Sequence, residues 1–159
     1  MQHWADQLNE KWGISARLSR FDGEYDLNFL AHTDSGESYV VTVMRSDCAA
    51  WLVEMQVEAL THIKKVSSAL PCPRVIPTPK KQLVLKMQDE IGQERLVWLL
   101  ERLPGKCYAV SAPKTDALIS EIGATLGGVS KALQSFEHPQ ADRDFKWDLM
   151  RADWIVDEI

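Results

Sequence analysis

Between residues 14 and 44, apolar side chains recur with a period of two in three short runs, each closed by turn-forming residues. That pattern restricts this part of the chain to an antiparallel meander of strands. In the first run, 14–21, Ile14, Ala16 and Leu18 lie on one side and Ser15, Arg17 and Ser19 on the other. Asp22-Gly23-Glu24 interrupts it, 27–33 resumes the alternation, and Asp34-Ser35-Gly36-Glu37 is a hairpin signal. The third run, 38–44, is rich in Tyr and Val, residues that suit a pleated, half-buried surface.

The remaining segments are read from their punctuation. Trp4, Leu8 and Trp12 recur at helical spacing and predict a helix that stops at Gly13. A second helix is expected over 50–66, with Leu52, Met55, Ala59 and Ile63 as its buried stripe and Trp51 and Leu60 beside it. Pro71, Pro73, Pro77 and Pro79 forbid helix and predict an extended passage. Two further strands, 82–88 and 95–103, are separated by a turn at Gly92. Arg102-Leu103-Pro104-Gly105 ends the strand pattern, which divides the chain into a lobe of residues 1–103 and a segment of residues 104–159. That segment opens with Pro113 and a long helix over 114–136, with Thr115 as its cap and Leu118, Ile122, Leu126, Val129 and Leu133 as its apolar stripe. Beyond it, Trp147 and Trp154 are expected anchors, with a short terminal helix. The fold class is α+β: five antiparallel strands and one helix, then a connecting hinge and further helix.

Composition excludes several function classes. Hydrophobic residues are 45% of the chain and charged residues 26%, enough apolar material for a packed core. The net charge is −5 with no block of like charges, so neither a nucleic-acid face nor a membrane-seeking face is expected. Cys48, Cys72 and Cys107 are odd in number and lack CxxC spacing, which argues against a disulfide framework and a zinc site. Residues 1–6 carry no secretory pattern and no stretch reaches membrane length, so a reducing cytoplasm is the default location.

Several segments, taken in order, resemble the aminoglycoside-phosphotransferase superfamily, most closely its hydroxylysine-kinase branch. They are Gly23-Glu24-Tyr25-Asp26-Leu27-Asn28-Phe29, Ser38-Tyr39-Val40-Val41-Thr42-Val43, Val53-Glu54-Met55-Gln56, Leu99-Leu100-Glu101-Arg102-Leu103-Pro104-Gly105 and Glu121-Ile122-Gly123. Phe136-Glu137-His138-Pro139 and Trp147-Asp148-Leu149 also match, the tail being similar to bacterial proteins that carry a kinase-like unit ahead of a class III aminotransferase. The resemblance implies a protein-kinase-like N-terminal lobe, a hinge, and the first helical part of a C-terminal lobe.

It also implies that the lobe covers the phosphates of ATP, grips them with a cation and seats the adenine. The turn containing Asp22 and Gly23, together with Asn28, is the candidate phosphate cover, Gly23 supplying conformational freedom. The grip departs from the family pattern. Thr42 occupies the slot of a phosphate-binding lysine, and Gln56 that of its glutamate partner. Threonine offers a hydroxyl and no charge. Arg45, three residues on, is expected on the opposite face by strand alternation and so is not expected to substitute. The hinge is represented by Leu100, the Glu101 carbonyl and the Leu103 amide, with Val41 and Leu18 as expected apolar walls.

The family's catalytic loop, His-Gly-Asp followed by asparagine, occurs nowhere in the sequence, nor does its later metal-binding aspartate motif. His32-Thr33-Asp34 sits beside a predicted hairpin and is no substitute. Magnesium would therefore be held by residues of a missing lobe, and truncation is the expected explanation. Gly123-Ala124-Thr125-Leu126-Gly127-Gly128 lies within a helical pattern and fails as a dinucleotide loop. The four histidines lack metal-ligand spacing, and Asp142, Asp144 and Asp148 are expected on a solvated face. Two functions remain open: the ATP-binding part of a small-molecule phosphotransferase, with its acceptor bound by the missing lobe, or a non-catalytic kinase-like ligand-binding or assembly module of a multidomain protein, this chain alone then holding no cofactor. A bare apolar stripe on helix 114–136 predicts self-association.

Overall fold

The computed structural model describes residues 1–143, 145 and 148–158. Helix α1 (Gln2–Trp12) precedes β1 (Arg17–Phe21), β2 (Leu27–His32) and β3 (Ser38–Val43). Then come α2 (Ala50–Val66), β4 (Val84–Gln88), β5 (Glu94–Glu101) and α3 (Asp116–Leu133). A 3-10 turn at Tyr108–Val110 precedes α3, and a 3-10 segment, Leu149–Glu158, interrupted at Arg151, follows it. The five strands form one sheet in the order β1-β2-β3-β5-β4, every neighbouring pair antiparallel. The expected α+β lobe is therefore present.

Helix α1 ends because Gly13 adopts a left-handed conformation, φ 70°, and returns its N–H to the Asn9 carbonyl. Its apolar face buries Trp4, Leu8 and Trp12 against Phe29, Ala31, Val41, Val43, Val97 and Leu99. The Trp12 indole N–H donates to the Ile76 carbonyl at 3.0 Å, tying the helix to the proline-rich passage. Full burial of side chains of this size contributes about 1.5–3 kcal/mol each.

The other face of the sheet carries α2. Met44, Val53, Val57 and Trp98 form its core, with Leu60, Val84, Leu96 and Leu100 packed around them. The stripe read from sequence is thus turned: Val53 and Val57 face the sheet, while Leu52 and Ala59 are only half-buried. The hairpin at Gly36, φ 91°, joins β2 to β3 where the alternation breaks.

Between β4 and β5, Asp89 accepts the Gln93 amide at 2.9 Å and the Ile91 amide at 3.1 Å and meets Arg95 Nε at 3.0 Å. Desolvation alone would raise the Asp89 carboxyl, but these hydrogen bonds outweigh it and hold its pKa below the usual value. Arg95 also donates to the Met44 carbonyl at 3.2 Å, so this turn fixes the chain as it leaves β3.

Helix α3 starts at Thr115, whose hydroxyl accepts the Leu118 amide at 3.2 Å. It lies across α2, where His62 Nε2 meets the Ala132 carbonyl at 3.1 Å and Ser135 Oγ at 3.0 Å. Leu70 packs against Gly128, where a Cβ would fall 2.6 Å from the end of the leucine side chain. Ile119, Ile122 and Leu126 are exposed. Trp147 and Asp144 lie outside the described residues.

Candidate functional site

Strand register decides which side chains share a face. In an antiparallel pair, residues directly opposite point the same way. Asn28 pairs with Thr42 and Thr42 with Trp98, while Leu30 pairs with Val40 and Val40 with Leu100. These six residues line the face that carries α2. Phe29, Val41 and Leu99 form the alternate row and are buried beneath α1.

Of the residues predicted from sequence, Thr42, Asn28 and Leu100 therefore share one face. Val41 and Leu18 do not. Val41 is in the α1 core and Leu18 packs against that same core, so neither can wall a ligand lying on the Thr42 face. The side chain in the row of Thr42 is Val40, one residue earlier. The expectation failed because alternation gives two faces without saying which one a ligand would use.

Thr42 is buried, and its hydroxyl donates to Asn28 Oδ1 at 3.0 Å. The Asn28 amide nitrogen in turn reaches the Asp26 carbonyl at 3.5 Å, closing the turn between β1 and β2. Gly23 sits against this amide: a Cβ there would lie 2.4 Å from Asn28 Nδ2 and 2.7 Å from the Asp26 carbonyl oxygen. The glycine is needed for space rather than for a positive φ, since it is absent from the residues with left-handed backbone. Asp22 is exposed on the same turn.

At the other end of β3, the backbone changes partners. The Glu101 amide donates to the Arg74 carbonyl at 2.8 Å and the Arg102 amide to the Ser38 carbonyl at 3.2 Å. Among the described residues, nothing engages the Glu101 carbonyl or the Leu103 amide. A carbonyl and an N–H two residues apart are thus left at the strand end, next to Leu100. The Glu101 and Leu103 side chains themselves are exposed.

Beyond Thr42, towards the end of β3 remote from Leu100, a cleft of about 680 Å³ opens between the β1–β2 turn, the β3–α2 connection and α2. Gln56 lines it, as do Tyr25, Asp26, Arg45, Asp47, Trp51 and Arg143. Arg45 had been expected on the far face. Strand β3 stops at Val43, so alternation no longer governs residue 45. The Arg45 amide donates to Asp26 Oδ1 at 2.8 Å, and the guanidinium carbon lies 5.4 Å from the centre of the Tyr25 ring. Its Nε is 2.9 Å from Asp47 Oδ1, an ion-pair distance, but is not aligned as a hydrogen bond. Glu54 and Glu58 on α2, on either side of Gln56 in the sequence, are exposed. The strand end at Val43 was the missing signal; Ser46-Asp47 after Arg45 is the trace of it in the sequence.

The Tyr25 hydroxyl is raised above the ordinary phenol pKa, chiefly by its hydrogen bond and charge interaction with Glu24, with Arg45 acting weakly the other way. Among the described residues no group of three or more metal-ligating side chains is assembled, and no helix is long and apolar enough to cross a membrane.

No family model and no curated protein matches the chain. Solved structures do. One is the amicoumacin kinase hAmiN in complex with AMP-PNP, Ca2+ and Ami, with a TM-score of 0.68 and 12% identity over 87% of this chain and 41% of that one. Another is a microcompartment-associated aminopropanol kinase, with a TM-score of 0.68 and 18% identity over 93% of this chain and 45% of that one. The chain thus spans less than half the length of either kinase. At these identities the likeness concerns the fold alone, the α+β arrangement of a five-stranded antiparallel sheet with helices described above. The chain has the fold of the part of these two kinases that it covers, a five-stranded antiparallel sheet with helices.

Proposed function

We propose that this chain supplies the nucleotide-binding lobe of a small-molecule phosphotransferase, with residues 1–103 as the lobe and residues 104–159 as the hinge and the start of a second lobe. The observation that carries this reading is a continuous run on one face of the sheet. It begins at the unengaged Glu101 carbonyl and Leu103 amide, passes Leu100, Val40 and Thr42, and ends at the cleft lined by Gln56. A purine edge needs one donor and one acceptor side by side, and the backbone offers both. Asp22, Gly23 and Asn28 then form the cover above the phosphates. The neighbouring amicoumacin kinase was solved with AMP-PNP, an ATP analogue, which favours the same ligand class here.

The acceptor is a small hydroxylated or aminated molecule, as in the hydroxylysine-kinase branch, and both acceptor and magnesium are held by residues outside this chain, in the cytoplasm. On this reading the chain alone transfers no phosphoryl group, because no His-Gly-Asp loop is present to position the acceptor hydroxyl. A second reading, a non-catalytic kinase-like ligand-binding or assembly module, is favoured by one observation: Thr42 and Gln56 are both uncharged where a cation and its partner are expected.

A thermal-shift titration with ATP and magnesium separates the two. At a hundred-fold excess over Kd, binding stabilises by about 2.7 kcal/mol, a rise in Tm of roughly 5–10 °C for a domain of this size. That rise is the expected result. No shift at millimolar nucleotide favours the module.

A further inference from the structure

We infer that Arg45 supplies the phosphate grip that residue 42 lacks; this rests on the nucleotide reading above. Four observations carry the inference. Thr42 is buried and its hydroxyl is committed to Asn28, so it offers neither charge nor a free donor to a ligand. Arg45 leaves the end of β3 into the cleft that Gln56 lines, because the strand has stopped two residues earlier. Its backbone is held from both sides, by Asp26 on the Arg45 amide and by Arg95 on the Met44 carbonyl. Its guanidinium lies beside Tyr25, on the turn that carries Gly23.

The chemistry of the free atoms then selects the ligand. Asp47 faces Nε, and among the described residues neither terminal nitrogen of Arg45 has a partner. Those two N–H groups are the fork that matches two oxygens of one phosphate. Arg143 lines the same cleft, and its charged group lies against Phe145 and the Met55 sulfur, contacts that do not neutralise it. Asp26 and Asp47 line the cleft too: Asp26 Oδ1 accepts the Arg45 amide and Asp47 lies at ion-pair distance from Nε. The two arginines thus offset two carboxylates, and a phosphate is drawn by the fork of terminal N–H groups rather than by net charge. Side chains of ordinary arginine length reach back along β3 from position 45 by about two strand residues, at ~3.3 Å each. The polyphosphate of a nucleotide seated at Leu103 is thereby brought within range.

The test is calorimetry on the whole chain with adenosine, ATP and inorganic tripolyphosphate, comparing wild type with Arg45→Met and Arg45→Lys. Circular dichroism melts first establish that each variant is folded; the Arg45 side chain is 42% exposed, so both are expected to fold. The expected result is that Arg45→Met weakens ATP and tripolyphosphate about ten- to a hundred-fold, the scale of a charge-assisted pair, and leaves adenosine unchanged. Arg45→Lys recovers part of the loss. If Arg45→Met binds ATP as wild type does, the inference is wrong while the nucleotide reading stands. If wild type binds tripolyphosphate through Arg45 but neither adenosine nor ATP, the anion site stands and the nucleotide reading falls. If wild type binds none of the three, both fall.

Discussion

Thr42 is buried in β3, in the row of side chains that faces α2. A lysine there would bring a charge to the centre of the sheet; threonine instead closes a neutral hydrogen bond to Asn28 at 3.0 Å. That bond holds the Asn28 amide over Gly23, so a single hydroxyl ties β3 to the turn above it. Thr42→Val keeps the shape and deletes the donor, leaving Asn28 Oδ1 without it. The expected cost is about 1 kcal/mol, a fall in Tm of roughly 2–4 °C in a melt followed by circular dichroism. A melt identical to wild type would show that the bond contributes nothing. Residue 42 was singled out by the resemblance of Ser38–Val43 to a family strand, and that this run is a strand was legible in its Tyr- and Val-rich composition. The environment of its neighbours was not. Val41 was assigned to the wrong face, and Arg45 was excluded by an alternation that had already ended at Val43. Gly23 was valued for backbone freedom, whereas what it provides is room for an amide five residues away.

At the scale of elements, the strands were read well because each is bounded by turn residues whose chemistry is local. Helix α2 was expected over 50–66 and occupies Ala50–Val66. Its inward face was misread because a single stripe assumes a single neighbour. This helix has two, the sheet beneath it and α3 beside it, so Val53 and Val57 are buried in one direction and Met55 and Ile63 outside that cluster. Helix α3 has the reverse problem: only Ala132 is fully buried, and Ile119, Ile122 and Leu126 meet solvent. We propose that this face drives self-association of the chain. Light scattering at rising concentration is expected to show an increasing mass, which Leu126→Glu abolishes by placing a charge on the apolar row. A mass that stays that of one chain at high concentration would contradict this.

At the scale of the whole molecule, the sheet separates two environments. The α1 side is a dry core of aromatic and branched residues. The α2 side runs from an unengaged backbone pair at one end to a cleft lined by two arginines at the other. The fold follows from the order of turns and alternating runs, while the polarity of that second side follows from where strands stop, which alternation alone does not declare. The most direct measurement of this arrangement is an amide NMR titration of the assigned chain with ATP. The account predicts that the largest shifts fall on the Leu103 and Arg102 amides, on the turn at Gly23 and on Arg45, with the α1 core unmoved. Shifts confined to α3, or none at millimolar ATP, would contradict it.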